Sequence, residues 1–420
     1  MPNPFAFWSD LPDSGLKASR TTCVAGKPAR WLGVVLGSLL LSGLAIDAEA
    51  KKPAAKAPRH AAPAAPSGVL ADDAPDLVTY GQREDVMRFA DDLAQRHGLD
   101  AAWVRAALAA ARFVPAAAKA IMPAPSGTAK NWALYRSRFI DAARIRAGVA
   151  FWRTNEKWLR QAEAQYGVPA EIVAGIIGVE TIYGQQLGNF RVIDALATLA
   201  FDFPGGRSDR SAFFRDELES FLALCQREQL DPLLPKGSFA GAMGMPQFMP
   251  SSATRYAVDF DADGHTDLTG SPADVIGSVA HYLSEFGWQR GLPTHFEVAV
   301  PVDASERALL LGPDILPTFS VAEFTAHGAR LDDTALAALT DPAQRLALVE
   351  LQNGTAAPSY VAGTANFYAV TRYNRSSYYA MAVIDLGAAV ARAVQRTAAQ
   401  APVEPAAPAA PATPALRPKR

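Results

Sequence analysis

The sequence predicts a mainly α (α+β) fold, in which a helical body carries a small antiparallel β part. From residue 83 to about 291, alanine is frequent and apolar residues recur at intervals of three and four, which is the spacing of one helix face. From residue 295, short segments alternate between apolar and polar residues, as strands do. Half of the 420 residues are hydrophobic, so the chain has enough apolar material for a packed core.

Charge and cysteine content exclude several classes of protein. The chain has 40 Lys and Arg against 42 Asp and Glu, a net charge of −2, whereas nucleic-acid-binding proteins usually carry a basic surface. We therefore expect no nucleic-acid partner. Two cysteines are too few for a disulfide framework or a cysteine-rich zinc site.

The two ends of the chain differ in composition from the middle. Residues 31–46 form an uncharged apolar segment that follows Lys27 and Arg30 and precedes the sequence Ala-Glu-Ala at 48–50. This pattern predicts that residues 1–50 are a secretory signal peptide, with an uncleaved inner-membrane anchor as the alternative. In either case the protein is expected in the periplasm. Residues 51–76 and 395–420 are rich in Ala and Pro, which predicts a linker and a disordered tail around a folded region at 77–394.

Periodicity and breaker residues predict the individual elements. Helices are predicted at 86–97, 101–112, 138–166, 170–183, 211–229, 272–286 and 378–396. Strands are predicted at 295–302 and 347–352, and together they place the small β part at about 295–360.

The helix at 170–183 carries a carboxyl group with an unusual setting. Pro169 suits the first turn of this helix, and Gly184 suits its end. Glu180 shares a helix face with three apolar residues, Val173, Ile176 and Ile177. Apolar surroundings and a position in the last helical turn both disfavour a negative charge. The pKa of Glu180 is therefore predicted to rise toward roughly 6–7, the range of a general acid.

An acidic loop at 259–274 has the spacing of a calcium-binding loop. Acidic residues occupy positions 1, 3, 5 and 9, and Gly264 occupies position 6, where EF-hand loops need a sharp turn. The acidic residues are Asp259, Asp261, Asp263 and Asp267. Gly270 stands at position 12 in place of the usual Glu, and Asp274 can close the site from a longer loop. We expect a structural calcium ion of low affinity.

Residues 236–252 lie just before this loop and contain three glycines, three methionines and the amide Gln247. Such a segment suits a surface that approaches a ligand closely, or a methionine-lined turn in the core. The residues alone leave both interpretations open.

Five motifs together resemble the lytic murein transglycosylase B family, whose members cut bacterial peptidoglycan. They are GVETIYG (178–184), VIDALATLA (192–200), GSFAGAMGMPQFMPSS (237–252), YAVDFDADG (256–264) and NFYAVTRYNRSSYYAMAV (366–383). The resemblance covers about residues 85–390. It implies a lysozyme-like helical core with an additional helical domain and the small β part.

The same resemblance implies roles for particular residues. The single catalytic acid would be Glu180. The residues that contact the glycan strand would be Ser238, Gln247, Tyr282, Tyr373 and Tyr379. Calcium would be bound by the side chains of Asp259, Asp261, Asp263 and Asp274 and by the backbone carbonyl of His265. Catalysis would need no cofactor, and other cell-wall enzymes are candidate partners besides peptidoglycan.

A single acid implies a particular reaction. Ordinary glycosidases use two carboxylates, and the nearest candidates for a second one, Asp194 and Asp202, fit better as residues at helix ends. One acid suffices if the substrate's own C6 hydroxyl attacks C1 and forms a 1,6-anhydro product. Two alternatives stay open: a lysozyme-like muramidase, and a non-catalytic, calcium-stabilised protein that binds peptidoglycan.

Overall fold

The computed structural model describes residues 78–122, 130–206 and 208–399. The predicted signal or anchor segment at 1–50, the predicted linker at 51–76 and the tail from residue 400 lie outside the described residues. In chain order, the helices are α1 Glu84–His97, α2 Ala101–Ala109, α3 Pro115–Ala120, α4 Trp132–Ser137, α5 Ala142–Thr154, α6 Glu156–Tyr166, α7 Ala170–Thr181, α8 Val192–Phe201, α9 Ser211–Arg227, α10 Pro250–Tyr256, α11 Pro272–Glu285, α12 Ala304–Leu311, α13 Val321–Ala326, α14 Asp333–Ala338, α15 Ala365–Tyr373 and α16 Ser377–Ala399. The strands are β1 Phe190–Arg191, β2 Lys236–Gly237, β3 His295–Glu297, β4 Ala347–Asn353 and β5 Ala356–Gly363.

These elements form two helical parts and a small β part, which confirms the predicted fold class. In the first helical part, α1, α2, α3, α8 and α9 enclose one apolar cluster that includes Leu108 and Phe214. In the second, α4 to α7, α11, α15 and α16 enclose a larger cluster that includes Ile176 and Phe367. A third cluster lies under the β part.

The β part is built on a three-stranded antiparallel sheet in the order β3-β5-β4. The predicted strand at 295–302 pairs regularly only over His295–Glu297, and Ala299 instead forms an isolated bridge with Arg330. β5 was missed, because its sequence AAPSYVAG shows little alternation. The helices α12, α13 and α14 lie between β3 and β4 in the chain.

The predicted single helix at 138–166 was wrong, since two helices occupy this range. Asp141 caps α5 by accepting a hydrogen bond from the backbone N–H of Arg144, so this helix begins at Ala142. At Asn155 the side-chain amide donates to the carbonyl of Phe151, and the backbone leaves helical geometry. A side chain that competes for backbone hydrogen bonds in this way commonly interrupts a helix.

The helix that bears Glu180 also ends earlier than predicted. α7 ends at Thr181, because Ile182 and Tyr183 adopt left-handed backbone conformations with φ of 51° and 56°. Such conformations are strained for residues with a side chain, and for a β-branched residue they are genuine outliers. Glu180 nevertheless lies in the last helical turn, as predicted.

Helices α7 and α16 touch backbone to backbone in the middle of the larger helical part. A Cβ atom at Gly175 would lie 2.3 Å from the carbonyl oxygen of Val383, and one at Gly387 would lie 2.0 Å from that of Glu171. Only glycine therefore permits this approach at the two positions. In the described part of the chain, only Ser377–Thr397 is long and apolar enough to cross a membrane, and 72% of its most apolar window is buried inside the protein.

Candidate active site

Glu180 is a buried carboxyl group at the end of α7, with 6% of its surface exposed. Burial raises its pKa to about 8, although a hydrogen bond acts in the opposite direction. The apolar helix face correctly predicted that the pKa of Glu180 is raised. The pKa is higher than the predicted 6–7, because residues from other parts of the chain also bury the carboxyl group. At neutral pH the carboxyl therefore holds its proton and can act as an acid.

The hydrogen bond to Glu180 comes from Tyr379 in the first turn of α16. Its phenol donates to Oε1 of Glu180 over 2.6 Å. In a neutral carboxyl group the carbonyl oxygen is the better acceptor, so this bond favours the form that has the acidic proton on Oε2. After proton loss, the same bond stabilises the carboxylate, which is why it lowers the pKa.

Three further tyrosines lie close enough to Glu180 for its charge to affect their pKa values. Burial first, and then the charge of Glu180 among other groups, raises the pKa of Tyr135, Tyr282 and Tyr373. The ring centroids of Tyr282 and Tyr373 are 4.9 Å apart, and those of Tyr373 and Tyr379 are 6.4 Å apart with nearly parallel planes. The structure thus brings all three predicted glycan-contacting tyrosines, Tyr282, Tyr373 and Tyr379, together beside the predicted acid.

The glycine-rich segment contacts the end of α7. The hydroxyl of Thr181 donates to the backbone carbonyl of Met245 over 2.9 Å, and the phenol of Tyr373 donates to the carbonyl of Pro246 over 2.5 Å. The amide nitrogen of Gln247 donates to the carbonyls of Leu187 and Gly244. These bonds hold residues 245–247 against the acid-bearing helix and the tyrosine cluster.

The predicted glycan-contacting residues differ in the polar atoms that they leave available. Ser238 and Tyr282 are engaged internally, since the Ser238 hydroxyl accepts from the N–H of Ala242 and Tyr282 donates to the carbonyl of Arg372. Gln247 is fully buried, and within the described residues its Oε1 has no hydrogen-bond partner. Its φ of 51° adds backbone strain, which is common at ligand-binding positions. Gln247 is therefore the strongest candidate among the amide and hydroxyl groups.

Neither candidate for a second acid is available for catalysis. Asp194 forms an ion pair with Arg191 at 2.7 Å, and Asp202 forms one with Arg83 at 2.8 Å. Neighbouring charges contribute nothing to the pKa shift of Glu180, which depends only on burial and the tyrosine bond. Within the described residues, the carboxyl thus has no charged partner.

The acidic loop brings three of its predicted ligands together. One carboxylate oxygen each from Asp259, Asp261 and Asp263 lies within 4.8 Å of the others, and all three residues are exposed. Calcium takes oxygen ligands at 2.3–2.6 Å, so oxygens on opposite sides of one ion are up to about 5 Å apart. The three carboxylates fit calcium by this measure.

The two remaining predicted calcium ligands lie in different settings. Asp274 is 1% exposed, and its two oxygens accept the backbone N–H groups of Phe260 and Asp267, each over 2.8 Å. It therefore ties the two sides of the loop to the start of α11. The backbone N–H of His265 donates to the carboxylate of Asp263. Calcium ligation by Asp274 and by the carbonyl of His265 stays a prediction.

Two residues of the site were missed in the sequence. Tyr135 is buried in α4, and the charge of Glu180 contributes to its raised pKa. Nothing in the local sequence distinguishes Tyr135 from a core residue. Thr181 connects α7 to the glycine-rich segment, and its place directly after Glu180 was the only available signal.

The helical body thus holds a buried carboxyl group of raised pKa, a tyrosine cluster and a calcium-type loop. Comparison with known proteins specifies the class. The family model described as a transglycosylase SLT domain matches residues 81–388. Membrane-bound lytic murein transglycosylase B of Escherichia coli K12 is 40% identical over 322 residues, which cover 75% of this chain and 84% of that protein.

Solved structures agree. Soluble lytic transglycosylase SltB1 from Pseudomonas aeruginosa has 40% identity and a TM-score of 0.66, over 74% of this chain and 99% of that one. Escherichia coli Slt35 in complex with calcium has 37% identity and a TM-score of 0.66, over 76% of this chain and 97% of that one. The chain belongs to the SLT transglycosylase family and is a lytic transglycosylase that acts on peptidoglycan.

Proposed function

We propose that Glu180 performs this reaction alone, first as acid and then as base, and releases a 1,6-anhydromuramoyl product. The bond that is cut joins N-acetylmuramic acid to N-acetylglucosamine by a β-1,4 linkage. The observation that carries the proposal is a buried carboxyl with a pKa of about 8 and no charged partner among the described residues. A hydrolase with two acids would need a second free carboxylate beside it.

In the first step, Glu180 gives its Oε2 proton to the glycosidic oxygen of the leaving N-acetylglucosamine. The bond between C1 and this oxygen breaks, and the 2-acetamido oxygen of the muramic acid stabilises the positive charge that develops at C1. Tyr379 stabilises the new carboxylate on Glu180 through the 2.6 Å hydrogen bond. Burial disfavours this charge, so the carboxylate is a strong base within the site.

In the second step, the carboxylate takes the proton from the C6 hydroxyl of the same sugar. The C6 oxygen then bonds to C1 and closes the 1,6-anhydro ring, which displaces the acetamido oxygen. Glu180 returns to its neutral form. One proton has passed from the C6 hydroxyl to the leaving oxygen by way of Glu180, and water is not consumed.

The tyrosine cluster and Gln247 are proposed to hold the sugar in a reactive conformation. The unpartnered Oε1 of Gln247 suits an N–H or O–H donor of the glycan, such as the acetamido nitrogen. The rings of Tyr282, Tyr373 and Tyr379 supply a rigid wall. Ser238 fits an indirect role, because its hydroxyl supports the turn at 238–242.

Calcium is proposed to stabilise the acidic loop without taking part in the chemistry. The three converging carboxylates support this, as does the existence of a calcium complex of Slt35. Asp274 and the carbonyl of His265 complete the proposed ligand set. The loop leads into α11, which carries Tyr282, so an ordered loop would help to keep this helix in place.

Export to the periplasm fits the proposed substrate, and the Escherichia coli relative is named as membrane-bound. Glycan strands are the proposed partner. Association with other cell-wall enzymes stays a prediction.

Mass analysis of the products of purified cell-wall sacculi tests the proposal. Anhydro ends are one water lighter than hydrolysed ends, and we expect the anhydro form. Reducing ends alone would identify a muramidase, and binding without soluble products would identify a non-catalytic protein. Glu180→Gln should lower turnover by about 10²–10⁴, the usual contribution of a general acid; a loss of less than tenfold would exclude Glu180 as the acid.

A further inference from the structure

Tyr183 follows Glu180 by three residues and packs its ring against the helix that carries the carboxyl group. A Cβ atom at Gly178 of α7 would lie 2.5 Å from the phenol oxygen of Tyr183, and one at Gly148 of α5 would lie at the same distance from it. Only glycine therefore leaves room for the phenol at these two positions. The ring centroid is 5.2 Å from that of Phe151, so α5 also contacts the ring.

The phenol lies where three helices meet. Cβ atoms added at the same two glycines would also contact α16, at 2.5 Å from a side-chain carbon of Val390 and 2.8 Å from one of Leu386. The end of the Tyr183 side chain therefore lies between α5, α7 and α16. Because α16 also carries Tyr379, the residue that donates to Glu180, packing at this junction helps to set the separation of the two helices that form this hydrogen bond.

The backbone at Tyr183 is strained. Ile182 and Tyr183 have φ of 51° and 56°, which costs free energy for residues with a side chain. Such a backbone persists only where the surrounding contacts compensate for this cost. The hydroxyl of Thr181 accepts the N–H of Gly184 over 3.1 Å, and the ring of Tyr183 fills the space between the helices. These contacts hold the turn that directly follows Glu180.

The ring of Tyr183, and not its hydroxyl, provides this support. The phenol oxygen is buried and has no hydrogen-bond partner among the described residues. Burial raises the pKa of the phenol, and the charge of Arg144 lowers it only in part, so the hydroxyl stays neutral. A buried hydroxyl without a partner costs stability. The contacts that favour the observed conformation are therefore those of the ring.

We propose that Tyr183 is a positioning residue, whose ring holds the last turn of α7 so that the carboxyl of Glu180 meets the phenol of Tyr379. The proposal rests on the proposed function, because it takes Glu180 as the acid. Proton transfer requires the reacting groups to stay within about 0.5 Å of the productive geometry. Loss of the ring therefore lowers turnover by displacing the acid, although the ring itself does not touch the reacting atoms.

The test separates the ring from the hydroxyl by measuring kcat and KM on soluble glycan strands. Tyr183→Phe keeps the ring, so kcat should stay within twofold and the melting temperature should equal or exceed that of the wild type. Tyr183→Leu removes the ring, so kcat should fall about tenfold to a hundredfold while KM stays within twofold. A loss in kcat at constant KM indicates a change at the reacting groups and not in glycan binding.

Tyr183→Met provides a milder second variant, because a flexible thioether fills part of the space that the ring occupies. It should fold even where Tyr183→Leu does not, and it should lose at least threefold in kcat at constant KM. All rates are measured well below the melting temperature of each variant, so that unfolding does not contribute to the loss.

Tyr166→Leu is the matched control. Tyr166 is also a half-buried tyrosine of the larger helical part, but its ring contacts Phe260 and His281. This variant should lower the melting temperature and keep kcat within twofold. Equal losses in Tyr183→Phe and Tyr183→Leu, a Leu and Met variant with kcat within twofold of the wild type, or a loss mainly in KM would overturn the proposal. Failure of the proposed function would appear separately, as hydrolysed instead of anhydro ends released by the wild-type protein.

Discussion

The burial of Glu180 predicts that this residue, the proposed acid, destabilises the folded protein at neutral pH. In the unfolded chain a Glu has a pKa near 4.5, whereas in the folded protein burial raises that of Glu180 to about 8. Because the folded value is the higher one, the unfolded state loses its proton first as the pH rises. The free energy of unfolding therefore falls progressively as the pH rises from 4.5 to 8, and burial of Glu180 has no such cost below pH 4.5.

The size of this penalty follows from the two pKa values. Each pKa unit corresponds to about 1.36 kcal/mol. At pH 7, two and a half units above the unfolded value, the penalty is about 3 kcal/mol, and at pH 5 it is less than about 1 kcal/mol. Glu180→Gln removes the ionisable group and keeps its shape and an oxygen that accepts from Tyr379. The variant should lose turnover and gain about 2–3 kcal/mol of unfolding free energy at pH 7.

Urea denaturation of both proteins at pH 5, 6 and 7 measures this effect. The difference in unfolding free energy should grow with pH in the direction stated. Glu163→Gln is the control: this glutamate is exposed on α6, and its change should stay within about 0.5 kcal/mol at every pH. A Glu180→Gln variant that is less stable than the wild type at pH 7, or equally shifted at pH 5 and pH 7, would refute the burial argument.

Three further predictions concern the hydrogen bond to Glu180, the contact between α7 and α16, and the metal site. Tyr379→Phe removes the bond that stabilises the carboxylate of Glu180, so the pH above which kcat falls should move up by about one unit, and kcat should drop about tenfold or more. A pH profile that does not move would contradict the role assigned to Tyr379. Gly387→Ala forces α16 away from α7 and should cost about 1–3 kcal/mol, whereas Gly205→Ala, with no atom within 4 Å of the new Cβ, should leave the melting temperature nearly unchanged. Calcium at 100 times its Kd should stabilise the protein by about 2.7 kcal/mol and so raise the melting temperature, and Asp261→Asn should weaken this response; no response to calcium, with magnesium as the comparison, would exclude the proposed metal site.

The helical body could be predicted because its signal is local. Apolar residues at helical spacing located α7 and the direction in which the pKa of Glu180 shifts. The calcium-type loop was equally readable, since Asp259 to Gly264 interact over only a few residues of chain. A local hydrogen bond also explains why the single helix predicted at 138–166 was wrong. The side-chain amide of Asn155 bonds to the carbonyl of Phe151 and interrupts the helix, although the apolar periodicity continues on both sides. The periodicity of apolar residues gives no sign of such a bond.

The sequence by itself determined an apolar helix with one carboxyl group, an acidic loop and a tyrosine-rich segment. Each of these features depends on residues that are close together in the chain. Only the tertiary structure decided that Tyr379, 199 residues away, donates to Glu180, and that Asp194 and Asp202 are held in ion pairs with Arg191 and Arg83. The close approach of α7 and α16 at Gly175 and Gly387 creates that contact. Contacts of this kind depend on how whole helices pack against each other. This packing produces no periodic pattern in the sequence, so the residues in contact cannot be recognised from it.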